Sequence, residues 1–123
     1  MTCKPGDLVG IPFPYSDLIT RKRRPVLVLT HPDSHGDFMG LAVTSVMTEE
    51  FVVPIDQEKL ATGRLPRPSW VRCNKIFTLS ETIIAGTYGS LHLNVFHQVL
   101  QILCTYVGCG KTGASVSQQS SLL

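Results

Sequence analysis

The sequence predicts a mainly β fold, a small and strongly bent sheet or barrel closed by one C-terminal helix. Three observations carry this expectation. Between Leu8 and Ala85, short apolar segments recur, bounded by Gly, Pro, Asp and Asn. Near Leu93 the apolar period changes from strand-like to helical. At 123 residues, the chain is long enough for one domain with a single sizeable core.

Taken in order, residues 1–5 are a lead-in and Gly6-Asp7 is a turn signal. Leu8 to Phe13 is the first strand, limited by Pro12 and Pro14 to a sheet edge or to a strand that stops there. Tyr15 to Arg23 is polar and basic, a long hairpin loop by composition. Val26 to Thr30 is the second strand, so Arg24, held by Pro25, stands at a strand entrance. His31 to Asp37 is a loop, Phe38 to Val46 a third strand and Phe51 to Ile55 a fourth, after a turn at Glu49-Glu50. Asp56 to Leu60 forms one helical turn, and Gly63 to Pro68 is extended or loop. Ser69 to Leu79 returns to strand, and Ile83 to Ala85 adds a short strand that Gly86 and Gly89 break. Phe96, Val99, Leu100, Leu103, Tyr106 and Val107 then share one face of a helix over about residues 93–107. Asn94 can cap its start, and Gly108 sits where it would end. Residues 1–108 are expected to form the single domain. The stretch from 109 to 123, rich in Gly, Ser and Gln, is expected to be a disordered tail.

A hydrophobic fraction of 43% against 16% charged residues excludes wholesale disorder. The net charge of +2 implies no general polyanion-binding field. The cations are concentrated instead at Arg21 to Arg24 and at Arg64, Arg67, Arg72 and Lys75, which points to a nucleic acid or another phosphate ligand. None of the four cysteines forms a Cys-x-x-Cys pair, and the histidines complete no ligand set, so no metal or cofactor is expected. The N-terminus lacks the apolar core of a signal peptide, and no apolar run reaches transmembrane length. The expectation is a cytoplasmic protein with reduced thiols and no membrane contact.

Three groups could carry chemistry. The Arg24 guanidinium offers a planar fork of donors that can clamp a phosphate and stabilise charge in a pentacovalent transition state. The sequence leaves open whether it does so or is a solvated loop cation. Thr44 and Ser45, at a strand end, can donate to phosphate oxygens, although Thr is also an ordinary strand residue. In Trp70-Val71-Arg72-Cys73-Asn74-Lys75, alternation puts Arg72 and Asn74 on one face and Cys73 on the other. An outward polar face is the plainer reading of that pattern.

Three ordered segments together resemble the PemK/MazF family of toxin endoribonucleases. They are Gly6-Asp7-Leu8-Val9 with Pro12-Phe13-Pro14, then Arg23-Arg24-Pro25-Val26-Leu27-Val28-Leu29, then Val71-Arg72-Cys73-Asn74-Lys75. Thr44-Ser45 and Gly89-Ser90-Leu91 fall in the family's order as well. The resemblance implies an SH3-like β-barrel with a C-terminal helix, usually a homodimer. It implies metal-independent cleavage of single-stranded RNA, in which the ribose 2′-OH attacks the adjacent phosphate. It also implies a cognate antitoxin, with operator DNA bound only by the toxin–antitoxin complex. Carried over residue by residue, Arg24, Thr44 and Arg72 would be catalytic, and Phe13, Ser45, Asn74 and Lys75 would bind substrate. Asn74 departs from the aspartate that some members place there as a base, since an amide accepts no proton near neutral pH. The same barrel acting as a catalytically silent RNA- or protein-binding module is therefore the alternative. A DNA-binding regulator acting alone is a third reading, with no helix-turn-helix pattern to support it.

Overall fold

A computed structural model of the chain describes residues 1–14 and 21–109, leaving aside the side chains of residues 13, 14, 21 and 22. The expected tail lies outside these residues except for Cys109. Seven strands form one antiparallel sheet: β1 (Asp7–Pro14), β2 (Arg21–Val28), β3 (Asp37–Thr44), β4 (Val52–Ile55), β5 (Leu60–Gly63), β6 (Ser69–Ser80) and β7 (Gly86–Leu91). Helix α1 (Leu93–Val107) follows. The strand order is β4-β6-β3-β2-β1-β7-β5, so the sheet curls but stays open between β4 and β5. The mainly β architecture with a terminal helix is the one the sequence predicts.

Alternation along β2 divides the interior. Leu27 joins Leu8, Leu41, Val71 and Cys73 in the larger cluster, on which α1 lays Val95, Phe96 and Val99. Each of these helix side chains contributes roughly 1.5–3 kcal/mol by leaving water. Val26 and Val28 point the other way, into a second cluster with Val9, Ile11 and Phe38. The helix ends as expected, with Gly108 left-handed at φ 90° and its amide bonded to the Cys104 carbonyl at 2.8 Å. Its start differs: His92 is the capping residue, no side chain closes the first turn, and Asn94 lies inside the helix.

Other expectations need correction. β2 begins at Arg21, because the basic run pairs along β1, Lys22 opposite Phe13 and Arg24 opposite Ile11. β3 stops at Thr44, leaving Ser45 and Val46 outside the sheet. Residues 81–83 form a 3-10 turn, not part of a strand, and β7 runs through both glycines that were expected to break it. At Gly89 the reason is backbone proximity: Gly63 on β5 lies opposite it, and a Cβ on Gly89 would lie 2.8 Å from the Gly63 Cα. The 3-10 turn at Gln57–Lys59 is found where a helical turn was expected, capped by the Asp56 carboxylate, which accepts from the Glu58 amide. The thiols are not all reduced. Cys104 and Cys109 are joined in a disulfide, since left-handed Gly108 turns the chain back and brings their Cα atoms to 4.8 Å. Cys3 and Cys73 are free and buried.

Candidate active site

The β3–β6 ladder carries the decisive irregularity. Leu41 pairs with Ile76, but Val43 pairs with Val71. Ala42 alone on β3 therefore faces Arg72, Cys73, Asn74 and Lys75 on β6, a wide bulge that bends the strand and re-aims its side chains. On its other side β6 stays paired, with Arg72 opposite Val52 of β4. Within the bulge, burial alternates as expected: Val71 and Cys73 enter the larger core, while Arg72 and Asn74 take the opposite face. The bulge then reverses the parity of the strand. Phe77, an odd five positions after Arg72, lines the same cavity as Arg72.

That cavity, about 230 Å³, lies across β2, β3 and β6. Its polar walls are Arg24, Thr44 and Arg72, and its apolar floor is Pro25, Val26, Ala42 and Val43. The small side chain of Ala42 keeps the floor low between two guanidinium groups. The Thr44 hydroxyl oxygen accepts from the Val46 amide at 3.1 Å, which fixes the oxygen and leaves its proton to donate. Among the described residues, neither Nε of Arg72 nor Oδ1 of Asn74 has a hydrogen-bond partner, although both atoms are buried. A buried unpaired donor and a buried unpaired acceptor on one strand face are costly unless a ligand meets them. Burial pushes the Cys73 thiol between them up to about 11, so it stays protonated and takes no part as a nucleophile.

Of the residues the sequence singles out, the structure gathers Arg24, Thr44 and Arg72 around one cavity. Asn74 and Lys75 lie in the bulge, and Ser45 follows Thr44 at the strand end; none of the three lines the cavity. The Phe13 side chain lies outside the described residues. Phe77 was missed, because only the bulge turns it to this face, and nothing in the local sequence marks a bulge. A larger open cleft, about 530 Å³, lies by β5 and β7 and holds none of these groups. Its Lys4 is paired with Asp7 at 2.9 Å. Among the described residues, no three His, Cys, Asp or Glu side chains converge as a metal site would require.

The family model for PemK-like, MazF-like toxins of type II toxin–antitoxin systems matches residues 4–107. The chain belongs to this family. Among solved structures, a MazE–MazF complex from Deinococcus radiodurans is similar at 19% identity and TM-score 0.67, over 88% of this chain and 97% of that one. An endoribonuclease from a mycobacterial species, solved with its cognate antitoxin, is similar at 15% identity and TM-score 0.65, over 86% and 95%. The Mycobacterium tuberculosis toxin MazF-mt6 is similar at 19% identity and TM-score 0.62, over 80% and 93%. No curated protein matches by sequence. The family match spans Arg24, Thr44 and Arg72 and runs from β1 to the end of α1, and the structural matches share the fold.

Proposed function

We propose that this member of the PemK/MazF family is a sequence-selective endoribonuclease that cuts single-stranded RNA without a metal. In the reaction, the ribose O2′ bonds to the adjacent phosphorus and the P–O5′ bond breaks. The products are a 2′,3′-cyclic phosphate and a 5′-hydroxyl, with one proton leaving the 2′-hydroxyl and one reaching the 5′ oxygen. Arg24 holds the scissile phosphate, Thr44 donates to one of its oxygens, and Arg72 stabilises the charge that builds on the phosphorane and the leaving oxygen. Asn74, Ser45, Lys75 and Phe13 hold the flanking nucleotides, unpaired and open to stacking. A cognate antitoxin blocks the site, and a homodimer is the working form.

The observation that carries this reading is the cavity shared by Arg24, Thr44 and Arg72. Beside it, the unpartnered Arg72 Nε and Asn74 Oδ1 match the acceptor and donor that a ribose phosphate presents. The test is incubation of the purified chain with single-stranded RNA in EDTA, followed by mapping of fragment ends. Cyclic phosphate and 5′-hydroxyl ends are expected. Intact RNA at high protein concentration would overturn the reading. RNA bound but uncut, with binding that survives Arg24→Ala and Thr44→Ala, would favour the silent binding module that Asn74 suggests.

A further inference from the structure

Cys104 and Cys109 stand apart from the chemistry above, and Cys109 lies beyond the residues that the family model matches. Their disulfide closes the last turn of α1 over the Gly108 cap. Inside this loop is Tyr106, whose ring meets that of Phe51 edge-on, with centroids 5.0 Å apart. Phe51 holds φ at 51°, a left-handed conformation that a bulky residue adopts only when its surroundings impose it. The Phe51 carbonyl in turn accepts from the Cys73 amide at 2.8 Å. Cys73 sits in the β6 bulge between Arg72 and Asn74, the two residues with buried unpartnered atoms. A continuous set of contacts thus runs from the disulfide to the cavity.

We propose that Cys104 and Cys109 form a thiol–disulfide modification site whose state sets the position of Arg72 and Asn74. With the bond closed, the last helical turn is clipped, Tyr106 is held against Phe51, and Phe51 anchors the bulge through Cys73. The site opens by exchange with a dithiol reductant. A thiolate of the reductant attacks one sulfur, the Cys104–Cys109 bond breaks and a mixed disulfide forms; the second thiol of the reductant then resolves it. Two electrons and two protons pass to Cys104 and Cys109, and the reductant leaves as a disulfide. The reductant's thiolate reaches this bond because Cys109 is open to solvent; Cys3 and Cys73 are free thiols and offer no bond to exchange. The catalytic consequence rests on the nuclease reading; the structural consequence does not.

The experiment compares the full chain oxidised and reduced with dithiothreitol, reading hydrogen exchange at the Cys73 amide and RNA cleavage in parallel. Reduction is expected to speed Cys73 exchange about tenfold. It should lower kcat about tenfold, because Arg72 is displaced, and raise KM by a smaller factor, because Asn74 no longer holds its flanking nucleotide while Arg24 stays in place. Cys109→Ser should behave as the reduced protein with or without dithiothreitol. Tyr106→Ala should reproduce the loss in the oxidised protein, and Tyr106→Phe should restore it. Cys73 exchange that is equal in both redox forms would overturn the proposal, as would free thiols at both positions after oxidation. Exchange that responds to reduction while RNA stays intact in both forms would support the redox site and refute the nuclease.

Discussion

Arg24 and Arg72 reach one cavity from β2 and β6, two strands that β3 keeps apart. A phosphate in this cavity meets a guanidinium from either side, and both contacts strengthen when extra negative charge develops in the transition state. Arg24→Ala should therefore lower the cleavage rate by about 10² to 10³. Its unfolding free energy should stay within about 1 kcal/mol of the parent's, as for other substitutions outside the core. Arg24→Lys should recover only part of the rate, since an ammonium lacks the fork that matches two phosphate oxygens. Single-turnover cleavage and denaturant melts check both halves.

At Thr44 the prediction separates shape from chemistry. The hydroxyl oxygen already accepts from the Val46 amide, so its orientation is fixed by the turn that ends β3. Thr44→Val keeps the volume and removes both roles; Thr44→Ser keeps both. Cleavage should fall about tenfold or more in the valine variant and stay near the parent's in the serine variant. A loss in the serine variant with none in the valine variant would mean that the methyl group, not the hydroxyl, matters.

The sequence displays the apolar face of α1 and the buried Val26–Val28 segment, because each is a local pattern; Arg24, expected at a strand entrance, lies inside β2 instead. Pairing geometry is not local. The Arg21–Arg23 run is strand only because β1 supplies partners for it. Gly89 of β7 is a strand residue where β5 passes too close for a side chain. The site shows the same division. Arg24, Thr44 and Arg72 stand out as residue types able to meet a phosphate, but the bulge that gathers them sets four residues of β6 against Ala42. No period in β6 announces that mismatch, and so Phe77 could not be assigned its face.

Backbone proximity gives a stability prediction. At Gly89, φ is 134° and a Cβ would press on the Thr62 carbonyl oxygen. Gly6 also has a positive φ, 93°, but faces open space. Gly6→Ala should cost only the conformational term, about 1–2 kcal/mol. Gly89→Ala adds displacement of the β5 backbone and should cost roughly 3 kcal/mol or more. Urea unfolding of the two variants measures the difference, and equal midpoints would contradict the close β5–β7 approach.

Cys73 provides a pH prediction. Its thiol is raised from 9.0 to about 11 by burial. A raised thiol keeps its proton in the folded state after the unfolded chain has lost it. The associated stability is present below about pH 9 and is lost as pH climbs toward 11. The full loss is on the order of 2 kcal/mol. Cys73→Ala should flatten this part of the stability curve. Iodoacetamide at pH 8 should leave Cys73 unlabelled in the native protein and label it once urea unfolds the chain.

Asn74 tests whether the site works without a carboxylate at that position. An amide does not titrate, so nothing at position 74 imposes an acidic limit on the parent's rate. Asn74→Asp places a titratable carboxyl on the strand face that also carries Arg72. The variant should gain an acidic limb in its kcat profile, with activity falling as pH drops through the new group's pKa, and the parent should lack that limb. Circular dichroism over the same pH range separates protonation from unfolding. A parent profile that already carries the limb, unchanged by the substitution, would assign the titrating group elsewhere and remove Asn74 from the site.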